Sequence, residues 1–270
     1  MSIAVIALLA AATPAHAYVP PSYYVIRMLA RKHAPLEDAR FRSKVTFYKK
    51  SGEVIASVNE TLALSDAERA TVKLTDASGN ELALKSRKLI GARPGDVDRP
   101  VTYDLLFVKD GANIYEHLKL LGLPLKTEAA LYSEKEGAMP YKPETTVALE
   151  RYENKIAVVV GDRSKKSDVN SAVSLWVEKD SYLPLRAVFP TAPEMGMSSE
   201  PLELRMSSYG MHKAFLYPRN VQIFRNGTLW AKVETQEVRG GGGALEASPA
   251  KVEPDGDLRE LIDTYLRWIR

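Results

Sequence analysis

Hydrophobic and polar positions alternate through most of the chain, and this pattern predicts a sheet with one apolar face. Phe41, Val45 and Phe47 alternate with polar residues up to a turn at 51–52, and the pattern resumes over 54–64 and 70–74. Short polar turns between such segments are typical of antiparallel hairpins. Asn226-Gly227 is the clearest hairpin turn, because both of its residues readily adopt positive φ. Further strands are predicted over 101–107, 147–151, 156–160, 173–178, 183–189, 202–206 and 221–223.

Helical spacing of apolar residues occurs in three places. The first helix is predicted over 22–32, with Pro35 ending it, and the second carries Ile114, Leu118 and Leu121. The third is a C-terminal amphipathic helix over 257–270, for which a capping box of Asp257 and Glu260 is expected. A Gly/Pro-rich stretch over 241–256 is interpreted as a flexible tether in front of it. The predicted fold class is therefore mainly β (α+β). We expect a strongly curved antiparallel sheet, since a long flat sheet is unstable and exposes edge strands that can pair with other chains.

The N-terminus has the pattern of a signal peptide over 1–17. An uninterrupted apolar run over 3–12 is too short to span a bilayer, and it is followed by Ala15-His16-Ala17, a small-x-small cleavage pattern. No Lys or Arg precedes the run, which departs from the usual pattern. We expect cleavage after Ala17 and export to the periplasm, with no transmembrane segment in the mature chain.

Composition narrows the chemistry. The 270 residues carry a net charge of +3, too weak for a dedicated nucleic-acid binder, and they include no cysteine and four histidines. Thiol nucleophiles, disulfides and cysteine metal sites are excluded, and the histidines show no metal-ligand spacing. No GxSxG motif is present. The expectation is a protein that is not an enzyme and needs no metal and no cofactor.

Three segments resemble the LolA/LolB-like superfamily of periplasmic lipoprotein-sorting carriers. The segment 174–186, SLWVEKDSYLPLR, is similar to the family's W-V-D-K-x-x-x-L-P-x-R hairpin. The segment 149–162 resembles the strand pair before that hairpin, and 217–227 resembles the family's Y-P-x-x-I-x-I-x-x-N-G hairpin. The resemblance runs over most of 22–240 and is specific in the first of these hairpins. The stretch 91–146 and the terminal helix depart from the sorting carriers, and the absence of cysteine separates the chain from the lipid-anchored receptors.

The resemblance implies an unclosed half-barrel of about eleven strands over 18–240, wrapped around an apolar cavity and covered by short lid helices. The family's function would make the protein a carrier or chaperone for lipoprotein acyl chains or lipids in outer-membrane lipoprotein sorting or lipid transfer, with a possible envelope protein partner. The predicted cavity residues are Phe41, Val45, Phe47, Val58, Leu62, Val72, Leu74, Tyr103, Leu105 and Trp176, and the predicted lid residues are Ile114, Leu118 and Leu121.

Two other functions stay open at this point. A structural or adaptor subunit of an envelope machine would keep the fold without an open cavity, and a packed interior with an exposed terminal helix would favour it. A secreted hydrolase would require a cleft that joins a histidine to a serine and a carboxylate. The sequence does not say which face of each strand points inward, because a register shift of one residue reverses the whole set.

Overall fold

A computed structural model describes residues 19–33, 38–65, 69–89, 102–107, 111–125, 144–161, 173–190, 201–241 and 245–270. The predicted signal peptide over 1–17 lies outside these ranges, as do residues 91–100, 128–143 and 162–168. No helix within the described ranges is both long enough and apolar enough to cross a lipid bilayer.

One antiparallel sheet of eleven strands dominates the described part of the chain. The strands lie in the order β4-β3-β2-β1-β11-β10-β9-β8-β7-β6-β5, so the sheet ends at β4 and β5 and does not close. This confirms the predicted open half-barrel. The strands are β1 Ala39–Tyr48, β2 Val54–Ser65, β3 Arg69–Thr75, β4 Glu81–Lys88, β5 Val147–Tyr152, β6 Lys155–Gly161, β7 Ser174–Glu178, β8 Pro184–Pro190, β9 Pro201–His212, β10 Phe215–Arg225 and β11 Thr228–Gly240.

Hairpins connect most neighbouring strands, and the pairing of β1 with β11 joins the two halves of the sheet. The predicted turn between β10 and β11 is confirmed, with φ of 47° at Asn226 and 74° at Gly227. Residues with these dihedrals match the right-handed twist of the strands on either side. Strands β1 and β11 are far apart in sequence, and main-chain hydrogen bonds join them, as they join every other pair of neighbouring strands in the sheet.

Three α-helices and one 3-10 helix lie in the described ranges: α1 Ser22–His33, the 3-10 helix Thr102–Leu106, α2 Gly111–Leu120 and α3 Gly256–Trp268. The three predicted helices are confirmed. The predicted capping residue of α3 was wrong, since Asp255 caps the helix and its Oδ1 accepts a hydrogen bond from the Leu258 N–H at 3.0 Å. Asp257 lies in the first turn, where a carboxylate favours the positive end of the helix dipole.

The strand predicted over 101–107 was also wrong, because Thr102–Leu106 forms the 3-10 helix. The alternation over 101–107 requires a polar residue at position 106, but Leu106 is apolar and only 2% exposed. Leu105, Leu106 and Phe107 are consecutive and all buried, so their side chains must point in more than two directions into the core. A helical turn does this, whereas a strand sends alternate side chains to opposite faces.

A single hydrophobic core lies on one face of the sheet, which we call the concave face. Its members come from all eleven strands or the residues directly beside them, and from the four helices. The run 157–160 in β6 is buried on both faces, as its unbroken apolar sequence predicts. Eleven strands side by side would span roughly 48 Å if the sheet were flat, so only a curved sheet lets so few helices cover it.

Residues 246–252, part of the segment predicted as a flexible tether, are instead held by Glu81 at the start of β4 and by Lys73 of β3, which donates to the Glu246 carbonyl at 2.9 Å. Glu81 of β4 is buried and its carboxylate accepts from the Ser248 N–H at 2.7 Å, with Lys251 at 3.4 Å. The Glu81 main chain bonds to Ala250 and Val252, and the Ser248 and lysine contacts hold the pKa of Glu81 below its usual value despite its burial. The segment therefore reaches α3 from a fixed position at the sheet edge.

Candidate ligand site on the concave face

Nine of the ten predicted cavity residues lie together in the core on the concave face. Each of them is at most 4% exposed, and all belong to one continuous hydrophobic cluster. The predicted lid residues Ile114 and Leu118 are fully buried in the same cluster, and Leu121 packs against it. The structure thus brings these residues together, but the helices and the protein's own side chains fill the space between them.

Trp176 is the exception and lies on the opposite face of the sheet. Its neighbours in β7, Leu175 and Val177, belong to the concave core, so alternation sends Trp176 outward. There its indole Nε1–H donates to the Ser174 hydroxyl at 3.2 Å and its ring contacts Tyr152. The prediction that Trp176 lines the same surface as the other nine residues is therefore corrected.

Helix α3 covers the part of the concave face formed by β1–β4 and β11. Its apolar stripe of Ile262, Tyr265, Leu266 and Ile269 is buried. The Tyr265 ring meets Phe47 edge-on at 5.8 Å between centroids and lies 6.5 Å from Trp230. The predicted amphipathic helix thus uses its apolar side to cover the surface that the sequence predicted as a cavity wall.

A carboxylate, Glu60, lies in the middle of this apolar surface. It points the same way as Val58 and Leu62, two positions before and after it in β2, and its side chain is 0% exposed. Arg270 forms a two-pronged ion pair with it: Nε donates to Oε2 and Nη2 donates to Oε1, both at 2.7 Å. The Tyr265 hydroxyl also donates to Oε2 at 2.7 Å.

Aromatic rings surround the Arg270 guanidinium. It lies 3.9 Å from the centroid of the Tyr103 ring and 5.6 Å from that of Tyr265, while its Nη1 has no hydrogen-bond partner. Burial lowers the pKa of Arg270, but Glu60 outweighs this and raises it well above its ordinary value. Burial, with the Glu60 charge nearby, raises the pKa of Tyr265 well above its ordinary value, so its hydroxyl stays a donor.

Two cations of β4 hold the last turn of α3. Lys85 is paired in register with Val72, and Arg87 with Ala70, so both point to the concave face. The Lys85 ammonium donates to the carbonyl of Leu266 at 2.7 Å, and Arg87 donates to the main-chain oxygen of Arg270. These contacts satisfy carbonyls that the end of a helix leaves unpaired, and they complement its negative pole.

Sequence reasoning missed this polar set: Glu60, Lys85, Arg87, Tyr265 and Arg270. One signal was available, because Val58-Asn59-Glu60-Thr61-Leu62 places a charged residue at a position where alternation calls for an apolar one. A buried charge requires a partner, so Glu60 predicts a cation from elsewhere in the chain. Nothing in the sequence identifies Arg270, 210 positions away, as that cation.

The described residues give little support to metal binding or to nucleophilic catalysis. Among the residues whose placement is described, no group of three His, Asp or Glu side chains could hold a metal ion. His33 and His117 are buried in or beside the helices, and the His33 ring packs edge-on against Phe215 at 6.1 Å. Among the described residues, the concave face holds packed apolar side chains and paired charges, and none of these side chains forms an activated nucleophile.

Comparisons with known proteins give distant structural likenesses. No family model and no curated protein sequence matches the chain. A LolA superfamily protein from Nitrosomonas europaea is similar at 10% identity and a TM-score of 0.45, over 84% of this chain and 96% of that one. A putative outer membrane lipoprotein-sorting protein domain from Vibrio parahaemolyticus has 10% identity and a TM-score of 0.45, over 83% and 94%. A DUF1329 family protein from Desulfovibrio piger has 9% identity and a TM-score of 0.40, over 83% and 95%.

Likenesses with TM-scores below 0.5 and identities of 9–10% say nothing about the function of this chain. The function of this chain must therefore be inferred from the side chains on its own concave face.

Proposed function

We propose that the protein is an exported carrier for the acyl chains of lipids or lipoproteins, and that α3 occupies the binding surface when no ligand is bound. The observation that supports this most is the apolar concave face under α3. A curved sheet supplies Phe47, Leu74 and Trp230 as its wall, and a single helix at the end of the chain covers them. An enclosed apolar surface of this kind binds a hydrocarbon chain with few polar contacts.

Displacement of α3 leaves the sheet in place. The strands under the helix are held by their own main-chain ladders, β1 to β2 and β11, and β2 to β3. Helix α3 is attached to them by side chains, and by the preceding segment, which bonds to Glu81 at the start of β4. An acyl chain of about eighteen carbons gains about 14 kcal/mol on burial, before the costs of association and of displacing the helix.

An adaptor without ligand transfer is the second candidate. The observation that favours it is the packing of the interior, since the nine inward residues predicted to line a cavity are at most 4% exposed. The docked position of α3 argues against the version in which that helix projects freely to recruit a partner. The two functions differ in one measurable property, which is whether the intact protein takes up a hydrocarbon chain.

A titration with a naturally fluorescent fatty acid tests the proposal on the full mature chain, after mass spectrometry has shown it to be free of co-purified lipid. We expect saturable binding that weakens as the chain is shortened and changes little with salt, because burial drives it. Main-chain amides of α3 should exchange faster with solvent in the bound state, while those of β1 and β2 stay protected. Absence of saturable binding would leave the adaptor.

A matched pair of variants locates the binding surface. Leu74→Glu places a charge on the concave face, whereas Thr71→Glu places the same charge on the outer face of the same strand, where Thr71 donates to Ser86. We expect the first to abolish uptake and the second to leave it unchanged. Circular dichroism shows whether both fold, and a Leu74→Glu protein that is unfolded would make Leu74 a core residue only.

The proposal includes a location. Export predicts that protein recovered from the cell envelope begins at Tyr18, which N-terminal sequencing can read directly. Recovery from the cytoplasm with Met1 intact would contradict the carrier's proposed place in the envelope.

A further inference from the structure

The last turn of α3 and the residues that follow it present three kinds of group to the sheet. Apolar side chains meet the hydrophobic wall, the main-chain oxygens of Leu266 and Arg270 meet Lys85 and Arg87, and the Arg270 guanidinium meets Glu60. The sheet therefore holds, side by side, an apolar surface, a pair of cations and a buried anion. These groups are complementary to a molecule that has a hydrocarbon chain, an anionic group and a cationic group.

We infer that the surface under the last turn of α3 is a recognition site for a zwitterionic phospholipid, which would place its phosphate at Lys85 and Arg87 and its protonated amine at Glu60. The inference rests on the proposed function, because α3 must leave before a lipid enters. In this view α3 stands in for the ligand: its carbonyls take the place of the phosphate and Arg270 takes the place of the amine.

Glu60 is the reason why the ligand should carry a cationic group. Its carboxylate is fully buried, and a buried charge that loses its partner is strongly destabilising. When Arg270 leaves, a ligand that brings its own N–H donors restores the pairing, whereas a neutral or anionic ligand leaves Glu60 unpaired. The Tyr103 ring, now 3.9 Å from the guanidinium, stays behind and offers its face to the same cation.

Lys85 and Arg87 are the reason why the ligand should carry an anionic group. They occupy two successive inward positions of β4, and both currently donate to main-chain oxygens at the end of α3. Removal of the helix takes these two acceptor oxygens away from the cations. A phosphate group, with several acceptor oxygens and a full negative charge, pairs with an ammonium more strongly than an uncharged carbonyl such as that of Leu266 does, and it also suits the fork of a guanidinium.

A competition between lipids tests this on the full mature chain. The protein is incubated with phosphatidylcholine vesicles that contain equal amounts of phosphatidylethanolamine, phosphatidylglycerol and diacylglycerol with identical acyl chains. It is then separated from the vesicles, and bound lipids are quantified by mass spectrometry. Because displacement of α3 costs the same for every lipid, the ratio of bound lipids reports head-group recognition alone.

We expect phosphatidylethanolamine to exceed phosphatidylglycerol by about tenfold or more, as one charge-assisted contact provides. Phosphatidylglycerol should in turn exceed diacylglycerol. Glu60→Gln should bring the first ratio to about one while keeping the second. A double variant, Lys85→Gln with Arg87→Gln, should remove the second ratio. Glu53→Gln makes the same chemical change in an exposed ion pair with Lys49 and should change neither.

The outcomes separate the two proposals. Arg270→Gln loosens α3 but leaves Glu60 and the β4 cations in place, so it should capture more lipid in total with the first ratio retained. If neither the unmodified protein nor Arg270→Gln captures any lipid, the carrier function is overturned and this site with it. If lipid is captured but the unmodified protein does not prefer phosphatidylethanolamine to phosphatidylglycerol, the carrier stands and the zwitterion site is refuted, whether or not any variant folds.

Discussion

Within the described ranges, two pairs of arginine and glutamate are buried, one on each face of the sheet. On the concave face, Arg270 after α3 pairs with Glu60 of β2 across 210 positions of sequence. On the outer face, Arg186 of β8 pairs with Glu203 of β9 at 2.6 Å across 17 positions. Both arginines lie over an aromatic ring, Tyr103 at 3.9 Å in the first case and Trp176 at 5.4 Å in the second.

The outer pair is built entirely from neighbouring strands. Arg186 lies opposite Trp176 in one direction and opposite Arg205 in the other. Arg205 also donates to Glu203 at 2.6 Å, and its guanidinium lies 4.0 Å from the centroid of the Phe224 ring. The strand register that brings these side chains together is fixed by the main chain and does not depend on the ion pair.

The concave pair joins elements that have no strand ladder between them. Glu60 belongs to the sheet, whereas Arg270 follows a helix that is attached to the sheet mainly by side chains. The same chemistry therefore has different consequences on the two faces. Loss of the outer pair should disturb only the neighbouring side chains of β8 and β9, whereas loss of the concave pair should release α3 from the sheet.

Removal of α3 should have the largest effect. Truncation after Gly241 removes the buried Ile262, Tyr265, Leu266 and Ile269 and leaves their side of the core uncovered. We expect the free energy of unfolding to fall by about 5 kcal/mol, which lowers Tm by about 10–20 °C in a chain of this size. Scanning calorimetry measures this directly. An unchanged Tm would mean that α3 does not contribute to the core in solution.

Loss of the concave charge pair should come next. Glu60→Gln leaves Arg270 buried without its counter-charge, and we expect a loss of about 3–5 kcal/mol by urea denaturation. The double variant Glu60→Leu with Arg270→Met replaces both charges by apolar groups and should recover most of that loss. Amide exchange in α3 should be fast in the single variant and slow in the double one. Equal losses in the two variants would show that the charges do not act as a pair.

Loss of the outer pair should be smaller and local. Glu203→Gln should cost about 1–3 kcal/mol, because hydrogen bonds to two arginines are weakened, while the exchange of α3 amides stays unchanged. Faster exchange in α3 would contradict the independence of the two faces.

The pH dependence of stability adds a second test of the outer pair. Burial raises the pKa of Glu203, but hydrogen bonds from Arg186 and Arg205 outweigh this and hold it below its usual value. A depressed pKa in the folded state contributes stability that is present above the unfolded pKa of about 4.3 and is lost as pH falls through the lower value. Unfolding followed from neutral to acid pH should therefore show a shallower decline in Glu203→Gln than in the unmodified protein.

Loss of the α3 cap should be the smallest effect. Asp255→Ala removes the side chain that accepts from the Leu258 N–H, which costs about 1 kcal/mol in a typical helix. Because the cap belongs only to α3, amide exchange should accelerate in that helix and stay unchanged around Glu203. Acceleration on both faces would mean that α3 and the outer face unfold together.

The alternation of residues was sufficient to predict most of the sheet. In β1, Phe41, Val45 and Phe47 all lie on the concave face, as their shared spacing requires, and the Asn226-Gly227 turn has the expected positive φ values. The alternation in 101–107 failed because Leu106 breaks it, and burial on several sides selects a helical turn. Period two and turn chemistry are local properties, so a sequence of this kind carries them directly.

The face of the sheet on which Trp176 lies could not be predicted from the sequence around it. Its own strand alternates clearly, but only the neighbouring strands and the helices show which side of the sheet becomes the core. A shift of one position reverses the answer for every residue of a strand, and the apolar Trp176 is stable on the outer face because Arg186 and Tyr152 cover it.

The sequence by itself thus determined most of the strands, the Asn226-Gly227 turn, the amphipathic helix and the presence of one charge, Glu60, at an apolar position. Only the tertiary structure decided that α3 lies on the concave face and that Arg270, Lys85 and Arg87 meet there. The physical reason is that hydrophobic burial has no direction and specifies no particular partner. Which distant segments meet is decided by the complete packed sheet and by the need of each buried charge for a counter-charge.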